Sequence, residues 1–390
     1  MELRRVTELP PYVLGSIREL TLELRRGGAD VVDLGFGNPD LASPAAAVAK
    51  LHDASSLPHN HRYSSSRGIP RLRLEGAELY RRRFGVELDP EREVVTTMGA
   101  KEGFVHLMWV LLQPGDAALV PSPSYPIHIH GPLLAGAGVF HVPMTPSGDL
   151  VASLHESWRL AQPRPRVIVL SFPHNPTTAT VELDVMEHVV AFAQEHDVVV
   201  VHDFAYADLA FDGYRPPSIL QVPGAKDVAV ELYTLSKSFS MAGWRVAFLV
   251  GNPAVVSGLT RLKSWLDYGT FQPIQIAAIA ALTDAPDTPD DVAEVYRERR
   301  DVLCDGLARV GWEIHRPRAT MFAWAEIPER FRSLGSVGFA ELLAREAHVA
   351  VSPGAGFGVG GEGHVRFALV ENTQRIRQAV RGIGSLLSRS

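Results

Sequence analysis

The sequence predicts an α/β fold, with a mostly parallel central sheet carrying helices on both faces and a smaller α+β domain beside it. Three observations predict it. Short apolar runs alternate with helix-period patterns from about residue 117 to 250, and such alternation builds parallel βαβ units. After roughly residue 285 the texture changes to a long charged helical pattern followed by mixed strands and helices. Finally, Asn175, Asp203 and Lys237 each follow a separate strand-like run. In an open parallel sheet, ligands bind beyond the carboxyl ends of the strands, so the three polar residues converge on one crevice.

The elements follow in order. Ser16-Ile-Arg-Glu19 has capping-box spacing and Gly27-Gly28 is a stop signal, which predicts a helix over 17–26. Val31 to Leu34 reads as a short strand ending at the Gly35–Asp40 turn. Phe104, Leu107, Met108 and Leu111 recur at helical spacing in Lys101–Leu112, and Gln113-Pro-Gly-Asp116 ends that helix. Ala117–Val120, Val167–Leu170, Val198–Val201, Val228–Leu235 and Val246–Val250 read as strands, with a helix around Val185–Glu195. Their unbroken apolar character suits a sheet covered on both faces. Beyond 285 come a helix over Val292–Val310, strands at Met321–Ala325, Val349–Ser352 and Val365–Val370, a helix at Phe339–Glu346 and a final helix.

A chain of 390 residues is long enough for two domains with a large core. The net charge of −6 is modest and mixed along the chain, which argues against nucleic acid or a membrane as partner. The single cysteine, Cys304, excludes an internal disulfide framework and fits a reducing cytoplasm; it reads as a packed helix residue. The opening Met-Glu-Leu-Arg-Arg is not followed by a signal-like apolar stretch, and no run of about 18 apolar residues occurs. The expected location is cytoplasmic.

The chemistry centres on Lys237, in Tyr233-Thr-Leu-Ser-Lys237-Ser-Phe-Ser-Met-Ala-Gly-Trp-Arg245. Upstream lie Ser171-Phe-Pro-His-Asn175-Pro-Thr177 and His202-Asp203-Phe-Ala-Tyr206. Together these residues form a kit for pyridoxal 5′-phosphate (PLP). Lys237 supplies the amine for a Schiff base and for proton transfer. Asp203, ending a buried valine run, pairs with the protonated ring nitrogen, because a buried carboxylate needs a partner. Asn175 and Tyr206 hydrogen-bond the phenolic oxygen. Gly99-Ala100-Lys101 opens a helix whose free N–H groups favour an anion, and Thr234, Ser236 and Arg245 add side-chain donors for the phosphate. Arg366 lies inside the apolar run Val365–Val370, where an unpaired cation is improbable; an ion pair with Glu371 is the structural alternative.

The chain resembles a fold-type I, PLP-dependent class I/II aminotransferase, and is most similar to the alanine aminotransferase and LL-diaminopimelate aminotransferase group. Beyond the motifs above, the resemblance is carried by Leu9-Pro-Pro-Tyr-Val13, Gly35-Phe-Gly-Asn-Pro-Asp40, Tyr63-Ser-Ser-Ser-Arg-Gly-Ile-Pro70, Gly99-Ala-Lys-Glu-Gly103 and Pro123-Ser-Tyr-Pro-Ile-His128. Asp267-Tyr-Gly-Thr-Phe-Gln-Pro273 and His364-Val-Arg-Phe-Ala-Leu-Val-Glu-Asn372 complete it. It implies an N-terminal arm (1–45) packed with the small domain, a large PLP-binding domain (46–285) and a small C-terminal domain (286–390). Tyr125 would stack on the cofactor ring, and Arg366, helped by Gly37 and Asn175, would clamp the substrate α-carboxylate. Tyr63 would reach the phosphate of a neighbouring subunit, which makes the protein a homodimer with shared sites. Ala100 departs from the serine of many relatives; that removes one hydroxyl donor but keeps the backbone amides.

The implied reaction moves an amino group between a small L-amino acid, with alanine or glutamate leading, and a 2-oxo acid. It would run through a Lys237 aldimine and pyridoxamine phosphate. The alternative is a PLP enzyme of elimination, replacement or carbon–carbon bond formation, since a fold does not fix its chemistry. A non-enzymatic regulator would lack the lysine or carry an added DNA-binding domain. No metal is expected: His59, His61, His128 and His130 form two H-x-H pairs without a further spaced ligand. The stretch Gly354-Ala-Gly-Phe-Gly-Val-Gly-Gly361 lacks a dinucleotide-binding context and reads as a loop over the site.

Overall fold

The computed structural model describes residues 13–144 and 150–389. Among the described residues eleven strands form two sheets: β1 (Val32–Leu34), β2 (Val94–Thr97), β3 (Ala117–Ser122), β4 (Gly138–Pro143), β5 (Val167–Leu170), β6 (Val199–Asp203), β7 (Ala229–Thr234), β8 (Ala247–Gly251), β9 (Phe322–Glu326), β10 (Val349–Pro353) and β11 (His364–Ala368). The seven-stranded sheet has the order β2-β8-β7-β6-β5-β3-β4. Only β8 runs against its neighbours.

Side-chain alternation explains why a central strand such as β5 is apolar throughout. In β5, Ile168 and Leu170 face one core while Val167 and Val169 face another. Successive residues of a strand point to opposite faces, and both faces here carry helices. One core includes Met186, Val189 and Phe192 of the helix Leu183–His196. The other includes Phe104, Leu107 and Met108 of the helix Ala100–Leu111, with Val255, Val256 and Leu259 of the helix Pro253–Leu266. Each such buried Val, Leu or Phe contributes roughly 1.5–3 kcal/mol relative to exposure.

The second sheet, β1-β10-β11-β9, pairs β1 in parallel with β10 and is otherwise antiparallel. Its core takes in Ile17 of the helix Val13–Arg26, Leu303 of Thr288–Arg309, Phe339 of Gly335–Glu346 and Ile376 of Thr373–Ser388. The segment after β6 crosses to this sheet, so Tyr206, Leu209 and Phe211 belong to its core. Thr320 N–H donates to Leu209 O at 2.7 Å and Phe211 N–H to Arg318 O at 2.8 Å.

One expectation needs correction. The first described helix spans Val13–Arg26, so Ser16 sits within it instead of capping it; a capping box works only where the serine backbone is non-helical. The motif residues before Val13 lie outside the described residues. The glycine-rich stretch forms two short 3-10 turns, Gly354–Phe357 and Val359–Gly361. Their backbones touch: a Cβ on Gly354 would lie 1.8 Å from Gly361 O. Ser124 N–H donates to Phe357 O at 2.8 Å and Gly360 N–H to Ser122 Oγ at 3.2 Å, which pins the stretch beside β3. Among the described residues no helix is long and apolar enough to cross a membrane. Cys304 is buried in its helix, and burial pushes its thiol up to about 11.

Candidate active site

A cavity of about 350 Å³ opens where the chain leaves β3, β5, β6 and β7. The chain runs outward from β3 to β4, then returns to the other side of β3 with β5, β6 and β7. Such a reversal leaves a crevice at the strand ends. A larger cleft of about 600 Å³, bordered by Arg83, Asp208, Asp212 and Arg297, touches none of the predicted site residues.

At one end the cavity is built for an anion. Gly99 precedes the helix Ala100–Leu111, and Ala100 and Lys101 border the cavity. Gly99 has φ 84°, and a Cβ there would lie 2.0 Å from Arg245 Nη2. Glycine is required on both counts. Arg245 has φ 58° and is anchored by its Nη1 donating to Ala242 O at 2.8 Å. Thr234 Oγ1 accepts Ser236 N–H at 3.2 Å and donates to Ser236 Oγ at 2.9 Å, holding both hydroxyls at the cavity wall. A helix N-terminus, a guanidinium and two hydroxyls suit a phosphate.

In the middle, Asp203 ends β6. Its Oδ2 lies 2.9 Å from His128 Nε2, and His128 Nδ1 lies 3.1 Å from Ser124 Oγ. Asp203 Oδ1 is buried and has no hydrogen-bond partner among the described residues. Tyr125 borders the cavity just before the helix Pro126–Leu134.

At the other end, Lys237 stands in the short helix Leu235–Ser238 and its Nζ donates to Gly37 O at 3.0 Å. Burial, then the charges of Arg366 and Arg245, push its amine down to about 8, against the pull of Asp203. Asn175 links the two sheets. Its Nδ2 donates to Tyr206 Oη at 3.2 Å, and its Oδ1 accepts from Arg366 Nη1 at 2.8 Å. Burial pushes the Tyr206 hydroxyl up, so it stays protonated. Arg366 Nη2 also donates to Gly35 O at 3.1 Å and Ser352 Oγ at 3.3 Å. Its guanidinium carbon lies 3.9 Å from the centre of the Phe322 ring and 4.6 Å from that of Phe357, within cation–π range. Gly37 permits this packing, since a Cβ there would lie 2.6 Å from the Phe322 ring. Glu371, the alternative partner, has Arg375 and Arg25 as its cationic neighbours.

The structure thus brings the predicted residues together, with Gly99 just behind the wall and Tyr63 apart. Tyr63 is 85% exposed and packs on Tyr268, ring centres 4.6 Å apart. Sequence reasoning passed over His128 as half of an H-x-H pair. Its signal was position, three residues after Tyr125 in the same strand-end motif. Phe322 lies in a strand-like run and Phe357 in the glycine-rich stretch, and neither pattern marks a site residue.

Known proteins are similar to this chain. The aminotransferase class I and II family profile matches residues 29–383. This chain belongs to that family. The aminotransferase is 52% identical over 382 residues to glutamate–pyruvate aminotransferase AlaC of Escherichia coli K12, covering 98% of this chain and 93% of that one. It is 42% identical to an LL-diaminopimelate aminotransferase of Desulforudis audaxviator, covering 100% and 98%. Among solved structures, substrate-bound BacF from Bacillus subtilis superposes with a TM-score of 0.91 at 34% identity, covering 99% and 98%. An aspartate aminotransferase mutant from Thermus thermophilus gives 0.90 at 29%, covering 99% of both chains. The chain is therefore a PLP-dependent aminotransferase acting between amino acids and 2-oxo acids. The residues present fit the cofactor. The unmatched, buried Asp203 Oδ1 is an acceptor for a protonated ring nitrogen, and the anion cradle suits the phosphate.

Proposed function

We propose that the aminotransferase transfers the amino group between alanine or glutamate and a 2-oxo acid, as a cytoplasmic homodimer with shared active sites. The observation that carries the site assignment is the unmatched Asp203 Oδ1 in a cavity that also holds a low-pKa lysine and a buried arginine. The E. coli relative's name supports the alanine–glutamate reading. In the same reading the chain divides into an arm (1–45), a large domain (46–285) and a small domain (286–390).

PLP, when bound, supplies an aldehyde for the amine and a ring that withdraws electrons from the α-carbon. Gly99, Ala100, Lys101, Thr234, Ser236 and Arg245 would hold its phosphate, and Tyr125 would stack on its ring. Asp203, held in place by His128, would keep the ring nitrogen protonated, while Asn175 and Tyr206 would donate to the phenolic oxygen. Arg366 binds the substrate α-carboxylate through two parallel hydrogen bonds, with Gly37 and Asn175 beside it. The Nζ of Lys237 removes the α-proton of the substrate; an amine titrating at about 8 is a base suited to near-neutral pH. Tyr63 serves the phosphate of the second subunit.

The test is a half reaction. The holoenzyme mixed with alanine or, separately, with glutamate and no acceptor should yield one equivalent of the matching oxo acid per site and no ammonia. Ammonia release, or no oxo acid from either donor, would overturn the reading.

A further inference from the structure

The phosphate end of the cavity is backed by an ionic cluster around one buried lysine that no step above uses. Lys263, on the helix Pro253–Leu266, is fully buried. Its Nζ lies 2.9 Å from Asp267 Oδ2 and 3.4 Å from Glu102 Oε1. His106 Nδ1 lies 2.8 Å from the same Glu102 oxygen. Glu102, His106 and Asp267 bring ligand-type atoms within 4.8 Å of one another, but the cation among them is the lysine. A buried ammonium is stable only when paired and hydrogen-bonded.

Each carboxylate of the cluster also grips backbone. Glu102 Oε2 accepts Met98 N–H at 3.0 Å, across the turn that sets Gly99 and the first turn of the helix Ala100–Leu111. Asp267 Oδ1 accepts Gly269 N–H at 2.6 Å, and Asp267 O accepts Ser66 Oγ–H at 2.6 Å. Gly269 has φ 77°, and a Cβ there would lie 2.4 Å from Ser65 O. Gln275 adds to the lacing, donating to Ser64 Oγ at 2.9 Å. One ammonium therefore ties the helix start behind the phosphate cradle to the segment that displays Tyr63 and Tyr268.

The geometry points to Lys263 as a positioning residue for the cofactor's phosphate, acting through Glu102 on the Met98–Lys101 turn and through Asp267 on the Tyr63–Ser66 segment. This rests on the phosphate site proposed above. Without the ammonium, two part-buried carboxylates face each other with the lysine's charge removed, and like charges at close range repel, which loosens the hold on the turn and the segment. The consequence falls on the phosphate and not on the ring or the substrate carboxylate, whose partners lie after β3, β5 and β7, at the end of β6 and on β11.

The discriminating measurement compares PLP with pyridoxal, which lacks the phosphate. Apoprotein is titrated with each, and retained ligand is read by absorbance. In the unaltered protein PLP should bind far more tightly than pyridoxal. In Lys263→Met the PLP affinity should fall about tenfold or more, about 1.4 kcal/mol per factor of ten, with pyridoxal affinity unchanged. Lys263→Arg should recover part of the difference. If Lys263→Met does not fold, Asp267→Asn keeps the side-chain shape and the Gly269 contact and should show the same selective loss in smaller measure. Equal losses for both ligands, or none, would overturn the role of Lys263. Failure of the unaltered protein to discriminate between the ligands would instead sink the phosphate site itself.

Discussion

Lys237 is poised by its surroundings. A lysine normally titrates near 10.4; here burial and two nearby arginines lower it to about 8. The sign is that of a destabilised cation. The amine is charged below about 8 and free above it, so capture of PLP by the apoprotein should speed up as pH rises from 6 to 9, with a midpoint near 8. Stopped-flow absorbance checks this; a flat profile contradicts it. Lys237→Ala should fold, bind cofactor only reversibly, and retain none after borohydride and dialysis. Arg366→Lys should raise the KM for amino acid and oxo acid by about a hundredfold while PLP affinity holds. The charge survives, but the two-pronged geometry does not. Steady-state kinetics with separate cofactor titration decide it, and a collapse of PLP affinity alone would make Arg366 a cofactor residue. Asp203→Asn should cut kcat by about a hundredfold or more, because an amide cannot hold the ring nitrogen's proton; His128→Leu should cost about tenfold, the worth of one hydrogen bond to a charged group.

At the scale of elements, the strand ends did most of the positioning, and they were legible. Mostly apolar runs followed by polar residues marked β5, β6 and β7, and with them Asn175, Asp203 and Lys237. What was not legible depends on contacts distant in sequence. His128 meets Asp203 across 75 residues, and Lys263 meets Glu102 across 161. Neither spacing leaves a periodic trace. The reversed direction of β8 is equally silent, because a buried strand reads the same either way. Ser16 misled because a capping box is a local pattern that an earlier helix start overrides. Gly99→Ala tests the element-level design. Its Cβ has no room beside Arg245, so the helix start or the guanidinium must shift, and PLP affinity should drop at least tenfold by titration while the circular dichroism spectrum stays unchanged.

At the scale of the whole molecule, the exposed Tyr63–Tyr268 pair is the feature that a single chain does not explain. If Tyr63 serves a second subunit, mixing inactive Tyr63→Ala and Lys237→Ala proteins should restore activity in the exchanged heterodimer, where one site carries both lesions and the other neither. Subunit exchange without recovered activity would place Tyr63 within its own chain's function. A different consequence follows from Asp203. Until PLP arrives, the chain keeps a buried carboxylate oxygen unmatched, at a cost of about 1–3 kcal/mol. Binding at a hundred times Kd adds about 2.7 kcal/mol to the folded state. The melting temperature should rise by several degrees with PLP and less in Asp203→Asn. Inside a cell that difference becomes a lifetime: when vitamin B6 runs short, the loosened chains are the ones proteases reach first, so the amount of enzyme would follow the supply of its own cofactor.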